Sequence, residues 1–232
     1  MYKKIWLNSL VLLLLTGFLY GFYKGGKKLK QKWIVYKTLE SAHWEERAAE
    51  IENIKPGRYK VVFLGNSLTK LFDLNYYFED STFLNCGIVG DFTEGLLKRA
   101  DAIVRLKPGK LFIEIGINDI IEQVPLEEIC RNYEELIQVI KKGSPDTEIY
   151  IQSNLPVIIN RPGLFTGDVD VNERIVKQNG NLRLLADKYG ITFIDMYSAF
   201  LKSGYLKDLL VADGVHLTGK GYGVWRKELL KM

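Results

Sequence analysis

Cysteine and histidine are scarce in this chain, which has two of each among 232 residues. Cys86 and Cys130 form no C-x-x-C pair and no disulfide framework, so both read as small buried hydrophobes. A cysteine-rich zinc site is excluded, and His43 and His216 stand too far apart for an H-E-x-x-H site. Internal repeats and low-complexity tracts are also lacking. Acidic residues are missing from residues 1–37, which hold eight lysines, leaving 24 basic against 28 acidic groups from Thr38 onward. A body with that balance lacks the basic face on which nucleic-acid affinity rests. Hydrophobic residues make up 47% and charged residues 26%, which excludes a disordered tail and a polytopic membrane protein. The length suits one domain with an appendage, and about 200 residues suffice for a sizeable single core.

The appendage comes first. Ile5–Tyr23 carries no charge, and at 1.5 Å per residue such a helix reaches roughly 29 Å, about the hydrocarbon thickness of a bilayer. It reads as a transmembrane anchor, or as an uncleaved signal-like segment, because no A-x-A-like site follows Leu10–Leu15. Five lysines (24, 27, 28, 30, 32) follow it and outweigh Lys3 and Lys4 before it. That count favours a cytoplasmic body, whereas a signal-anchor reading exports it. Residues 27–53 read as helical and end at Pro56-Gly57. Their basic start suits either anionic headgroups or a solvated linker. The expected organisation is an anchor over 1–23, a basic juxtamembrane segment over 24–57 and a folded domain over 58–232.

In that domain, short apolar runs alternate with amphipathic segments. Lys60–Leu64, Thr82–Asn85, Lys110–Ile115, Glu148–Gln152 and Ile191–Ile194 read as strands. Glu94–Leu106, Leu126–Lys142, Asn172–Tyr189 and Gly219–Leu230 read as helices. The alternation predicts an α/β fold with a parallel sheet covered on both faces. Ligands of such sheets bind outside the carboxyl ends of the strands. Those ends carry Gly65-Asn66-Ser67-Leu68-Thr69, Cys86-Gly87-Ile88-Val89-Gly90-Asp91 and Gly116-Ile117-Asn118-Asp119. The last helix is preceded by Asp213-Gly214-Val215-His216. Pro156–Asp170 reads as an irregular loop over the sheet edge.

His43 lies beside Trp44 in the N-terminal helix and reads as a surface or packing residue. That leaves His216 as a candidate base. Asp213, three residues earlier, is spaced to hold one ring nitrogen and leave the other facing a cleft; the alternative is a capping aspartate beside an unrelated loop histidine. Ser67 stands at a strand-to-helix turn, as a nucleophile awaiting a base or as a helix N-cap. The G-x-S-x-G elbow of α/β-hydrolases is absent. The amides of Ser67 and Gly90 and the carboxamide of Asn118 are candidate oxyanion donors; Gly90 and Asn118 can equally be turn residues. Asp91 and Asp119 read as structural, since no ligand set accompanies them. Gly219-Lys220-Gly221-Tyr222-Gly223 has the look of a nucleotide loop, but it follows no strand and reads as a helix entrance. Tyr76, Tyr77, Phe78, Leu164 and Phe165 suit either a pocket lining or a core.

Taken in order, VVFLGNSLT, NCGIVGDFTEGLLKR, IEIGIND and DGVHLTGKGY resemble the motifs of the SGNH hydrolases, also called the GDSL esterase/lipase family. With IQSNLPV and the Asn172–Tyr189 helix, the resemblance covers most of residues 59–230. It implies a flavodoxin-like three-layer α/β/α sandwich. It also implies Ser67 as nucleophile, His216 as base and Asp213 as its orienting acid. Ser67, Gly90 and Asn118 would form the oxyanion hole. The implied chemistry is hydrolysis of carboxylic esters through an acyl-serine, without metal or cofactor. The nearest branch includes platelet-activating-factor acetylhydrolase-like and carbohydrate acetylesterase-like members, so a short acyl ester on a glycan or lipid is the expected substrate. Two other readings remain: an O-acyltransferase using the same serine, and an inactive glycan- or lipid-binding module. The chain departs from the family at Asn66, where Asp is usual. That change removes a negative charge near His216 and is expected to move the pH range of activity.

Overall fold

A computed structural model describes residues 25–26, 29–57, 59–158, 171–211 and 213–232. The chain divides into two compact units, Met1–Lys37 and Thr38–Met232. The apolar run Ile5–Tyr23 lies outside the described residues, as does the span 159–170 with Leu164 and Phe165. Among the described residues no helix is long and apolar enough to cross a membrane. Residues 29–39 are helical, and within the first unit Leu29, Trp33 and Tyr36 are exposed. The single helix expected over 27–53 is broken at Glu40-Ser41, and a second helix, α1, runs over Ala42–Glu52. It packs with the folded body through Trp44, whose Nε1 donates to Asp91 Oδ1 at 2.9 Å.

The body is an α/β fold around one parallel five-stranded sheet. Its strands are β1 (Val61–Gly65), β2 (Phe83–Gly87), β3 (Lys110–Glu114), β4 (Glu148–Gln152) and β5 (Thr192–Ile194). They lie in the order β2-β1-β3-β4-β5, all neighbours parallel. This is the flavodoxin-like order, whose switch point falls between β1 and β3. Two helices, α2 (Ser67–Lys70) and α3 (Leu74–Phe78), join β1 to β2. The segment expected as one helix over Glu94–Leu106 is two, α4 (Thr93–Lys98) and α5 (Ala100–Leu106). They part at Arg99, whose φ of −114° and ψ of 14° leave the helical range. Beyond β3 come α6 (Ile117–Ile121) and α7 (Leu126–Gly143), and α8 (Val171–Tyr189) leads into β5. The chain ends with α9 (Met196–Lys202), α10 (Leu206–Leu209) and α11 (Gly219–Leu229).

Alternation along the strands divides the core in two. Val61, Phe63, Phe112 and Tyr150 join one cluster with Leu68, Phe72, Phe200, Tyr222 and Trp225. Its rings stack in series, with Phe63 on Phe112 at 5.1 Å and Phe112 on Tyr150 at 4.6 Å. Val62, Leu64, Leu111, Ile113, Ile149 and Ile151 point the other way and are equally buried. Burial on both faces explains why these strands read as continuous apolar runs rather than alternating ones. The stack also settles the aromatic triplet. Phe78 packs on Phe63 and Phe83, Tyr77 donates its hydroxyl to the Gly219 carbonyl, and only Tyr76 stands fully out.

Candidate active site

The carboxyl ends of β1, β2 and β3 deliver three turns to one rim, on either side of the switch point. At the first, Asn66 caps α2, its Oδ1 accepting from the Leu68 amide at 2.8 Å. The cap is therefore Asn66 and not Ser67, which leaves the Ser67 hydroxyl free of that duty. Ser67 is only 6% exposed, and its Oγ lies 2.9 Å from His216 Nε2. His216 Nδ1 lies 2.6 Å from Asp213 Oδ2. The other carboxylate oxygen of Asp213 accepts from the amides of Val215 and His216, at 2.8 and 2.9 Å. The two readings of Asp213 are thus combined: one oxygen caps the turn and the other holds the ring.

The loop carrying these two residues is tied at its base. Leu210 and Leu217 form an antiparallel bridge, and Val211 donates its amide to the His216 carbonyl. Thr218 then caps α11 through its bond to the Gly221 amide, so the glycine-rich stretch is a helix entrance as expected. Burial tends to raise the Asp213 carboxyl, but the bonds from His216 and the two amides outweigh it and hold the group below its ordinary value. Asp213 therefore stays ionised in the range where a histidine base works.

Gly90 closes the second turn with φ of +77°. A Cβ there would meet only Thr38 Cγ2 at 3.6 Å, so the backbone conformation, rather than lack of room, calls for glycine. The next residue, Asp91, is fully buried and paired with Arg99, Nη2 to Oδ2 at 2.9 Å. Arg99 also donates to the carbonyls of Cys86 and Gly65, at 2.7 and 3.1 Å. One guanidinium thus clamps the ends of β1 and β2 to the Gly90 turn, which is why the helix breaks where it does. Burial pushes the Asp91 carboxyl up, while Arg99, Trp44 and the Phe92 amide pull it back.

Asn118, in α6 at the third turn, donates Nδ2 to the Asp91 carbonyl at 2.9 Å, leaving the second hydrogen of that amide for another acceptor. Its neighbour Asp119 faces inward and accepts from Thr93 Oγ1 at 2.6 Å and the Thr93 amide at 3.1 Å. Burial pushes its carboxyl up to about 7 against those bonds. His43 is exposed, with its Nδ1 3.5 Å from Ser41 Oγ. Among the described residues no group of three His, Cys, Asp or Glu is placed to hold a metal ion.

The structure therefore brings Ser67, His216 and Asp213 into one hydrogen-bonded chain and puts Gly90 and Asn118 on turns tied to each other through Asp91. Trp44, Arg99, Glu114 and Asn154, which support these turns, had not been singled out. Arg99 gave no signal, being one basic residue in a helical pattern. Glu114 did, as the lone acid in the apolar run Leu111–Ile117.

The profile of the GDSL-like Lipase/Acylhydrolase family matches residues 61–224. No curated protein matches. Among solved structures, a Streptococcus pneumonia protein named after platelet activating factor is 29% identical with a TM-score of 0.72. The match covers 88% of this chain and 96% of that one. A Bacteroides fragilis protein named as an acylhydrolase is 26% identical, with a TM-score of 0.68 and coverage of 83% and 94%. An acetylxylan esterase from Geobacillus stearothermophilus, 19% identical with a TM-score of 0.59 and coverage of 77% and 94%, shares the fold.

Proposed function

Since the chain belongs to the GDSL-like lipase/acylhydrolase family, we propose that it is a serine esterase cleaving carboxylic esters of short acyl groups, O-acetylated carbohydrate among them. The observation that carries this reading is the chain of hydrogen bonds Ser67–His216–Asp213, at 2.9 and 2.6 Å. A serine hydroxyl is a weak nucleophile until an adjacent base takes its proton. Here His216 Nε2 takes that proton as Ser67 Oγ attacks the ester carbonyl carbon. Asp213 fixes the tautomer and stabilises the imidazolium that forms. The carbonyl oxygen becomes an oxyanion and is met by the Ser67 and Gly90 amides and the second Asn118 Nδ2 hydrogen.

Collapse of the tetrahedral adduct breaks the carbon–oxygen bond to the alcohol, which leaves with the proton from His216. Water, deprotonated by the same imidazole, attacks the acyl-serine, and the acid departs as Ser67 Oγ is reprotonated. Every step is a proton or acyl transfer, and the residues present supply each one. An acceptor alcohol in place of water would make the enzyme an O-acyltransferase through the same intermediate. The Ile5–Tyr23 run is proposed to anchor the enzyme to a membrane, keeping the site near esters at that surface.

The test is incubation of the full chain with acetyl and longer acyl esters, with and without a sugar alcohol, followed by product analysis. Free acid in both cases supports hydrolysis, and acylated sugar identifies a transferase. Neither product, from folded protein, removes the catalytic reading and leaves a binding module.

A further inference from the structure

Beneath the rim lies a buried acid that the ester reaction does not use. Glu114 is the last residue of β3 and pairs in the ladder with Gly65 of β1, one residue before the Asn66 cap. It is completely buried, and alternation places its side chain on the sheet face of Phe112, Tyr222 and Trp225. Its Oε1 accepts from Asn154 Nδ2 at 3.2 Å, and its Oε2 has no partner. Asn154, just beyond β4, also donates Nδ2 to the Ile115 carbonyl at 2.7 Å. Asn179 of α8 clamps the Asn154 backbone from both sides, at 2.8 and 3.0 Å.

The unpartnered atoms are not scattered. Of the four buried side-chain polar atoms without a partner among the described residues, three belong to Asn66, Glu114 and Asn154. These residues stand at the carboxyl ends of the adjacent strands β1, β3 and β4. Asn66 Nδ2 is a donor, whereas Glu114 Oε2 and Asn154 Oδ1 are the second atoms of two groups already joined through Nδ2 and Oε1. Those two are both acceptors if Glu114 is ionised, and a donor–acceptor match if it carries a proton. The groups facing Glu114 are Asn154 and the phenols of Tyr133 on α7 and Tyr222 on α11, and none supplies a positive charge. Tyr133 also faces Asp119 of α6, a second acid. Burial accordingly pushes the Glu114 carboxyl up to about 7 against its one amide bond. A lone buried carboxylate without a cation is costly, whereas the neutral acid needs only hydrogen bonds.

Asn154 is also the floor of the oxyanion turn. Gly116 has φ of +122°, and a Cβ there would come within 3.0 Å of Asn154 Oδ1. Two residues further on is Asn118. We propose that Glu114 is a positioning residue, held as the neutral acid, that locks the Asn154 amide against the Gly116 turn and so sets how Asn118 reaches the cleft. Ionisation of Glu114 turns a donor into an acceptor opposite Asn154 Oδ1, loosens the amide and lets the turn drift.

The kinetic part of this proposal rests on the esterase reading above, so the test has arms that do not. Infrared spectra of the full chain titrated with pH should show a carboxylic-acid carbonyl band persisting at pH 6, with one component lost in Glu114→Gln and the component of Asp119, the other raised acid, lost in Asp119→Asn. Followed in an Asp119→Asn background, which removes the neighbouring titration, side-chain amide resonances of Asn118 should shift with the Glu114 midpoint and stay fixed once Glu114→Gln is added. In ester hydrolysis, Glu114→Leu should lower kcat on the order of tenfold to a hundredfold, as a small misplacement of a catalytic group does, with KM little changed. Glu114→Gln, which keeps an acceptor for Asn154 Nδ2 and a donor for its Oδ1, should restore kcat. No Glu114-dependent acid band at pH 6, or a glutamine variant as slow as the leucine one, would overturn the proposal. If the leucine variant does not fold, the infrared and amide titrations decide it. If the wild type cleaves no ester, the same two titrations stand while the esterase reading falls.

Discussion

Replacing Arg99 by methionine removes the guanidinium that clamps two strand ends to the Gly90 turn. The ion pair it makes with Asp91 is buried, with side-chain exposures of 3% and 0%. Deleting one member of a buried pair leaves an uncompensated charge and costs about 3–5 kcal/mol. At about 2–4 °C per kcal/mol for a domain of this size, the melting temperature should fall by roughly 6–20 °C. The carbonyl of Cys86 loses its Arg99 bond at the same time, and the Gly90 turn loses its tether. The assay is thermal unfolding of the full chain paired with ester hydrolysis at a temperature where the variant is folded. Pairing the change with Asp91→Leu should recover part of the lost stability, because no charge is then left unpaired. Activity should not recover, since the turn is still untethered. A melting temperature within about 2 °C of the wild type, under 1 kcal/mol on that conversion, would refute the clamp.

The remaining predictions concern the site itself. Asn118→Ala should leave the fold intact and cost about 3 kcal/mol in barrier, the usual loss for one oxyanion donor; full kcat would remove Asn118 from that role. Asp213→Asn should lower kcat on the order of 10⁴, as loss of the orienting carboxylate does in such triads. Little change would mean that Asp213 serves only to cap its turn. Asn66→Asp, by adding a carboxylate beside the nucleophile turn, should move the pH–rate profile of hydrolysis, and an unchanged profile would dispose of that coupling. Asp119 is buried with its carboxyl raised from 3.8 to about 7. The folded state thus holds a proton that the unfolded state has lost between those values, so this group's contribution falls as pH rises through that window. Asp119→Asn should flatten the corresponding slope of folding free energy against pH, measured by denaturant titration. A slope equal to the wild type's would show that Asp119 is ionised in the fold.

Much of this architecture was legible because the two signals that sequence carries well were both present. Strands buried on two faces give unbroken runs such as Val61-Val62-Phe63-Leu64, and long helices such as α7 hold their period over 18 residues. The residues after each strand could then be assigned to one rim by topology, which makes Ser67, Gly90 and Asn118 candidates, while their proposed roles came from the family resemblance. Helices of four or five residues escaped, since α2, α3, α6 and α10 are too short for a period to show. The break at Arg99 escaped for another reason: it is caused by an ion pair and two strand-end carbonyls that only the fold brings near. Trp44 carries no site signal in the sequence, yet its indole bonds Asp91 beside the Gly90 turn from 47 residues away. Glu114 was visible as an acid between Ile113 and Ile115, but a strand reading gave it no partner.

The central claim is that Ser67 is an activated nucleophile whose base is His216. A fluorophosphonate probe applied to the full chain, with the adduct located by mass spectrometry, tests it without knowledge of the substrate. The account predicts a stoichiometric adduct on Ser67 that is lost in Ser67→Ala and strongly slowed in His216→Ala. Folded protein that takes up no probe at any pH, or takes it up equally well without His216, would contradict it.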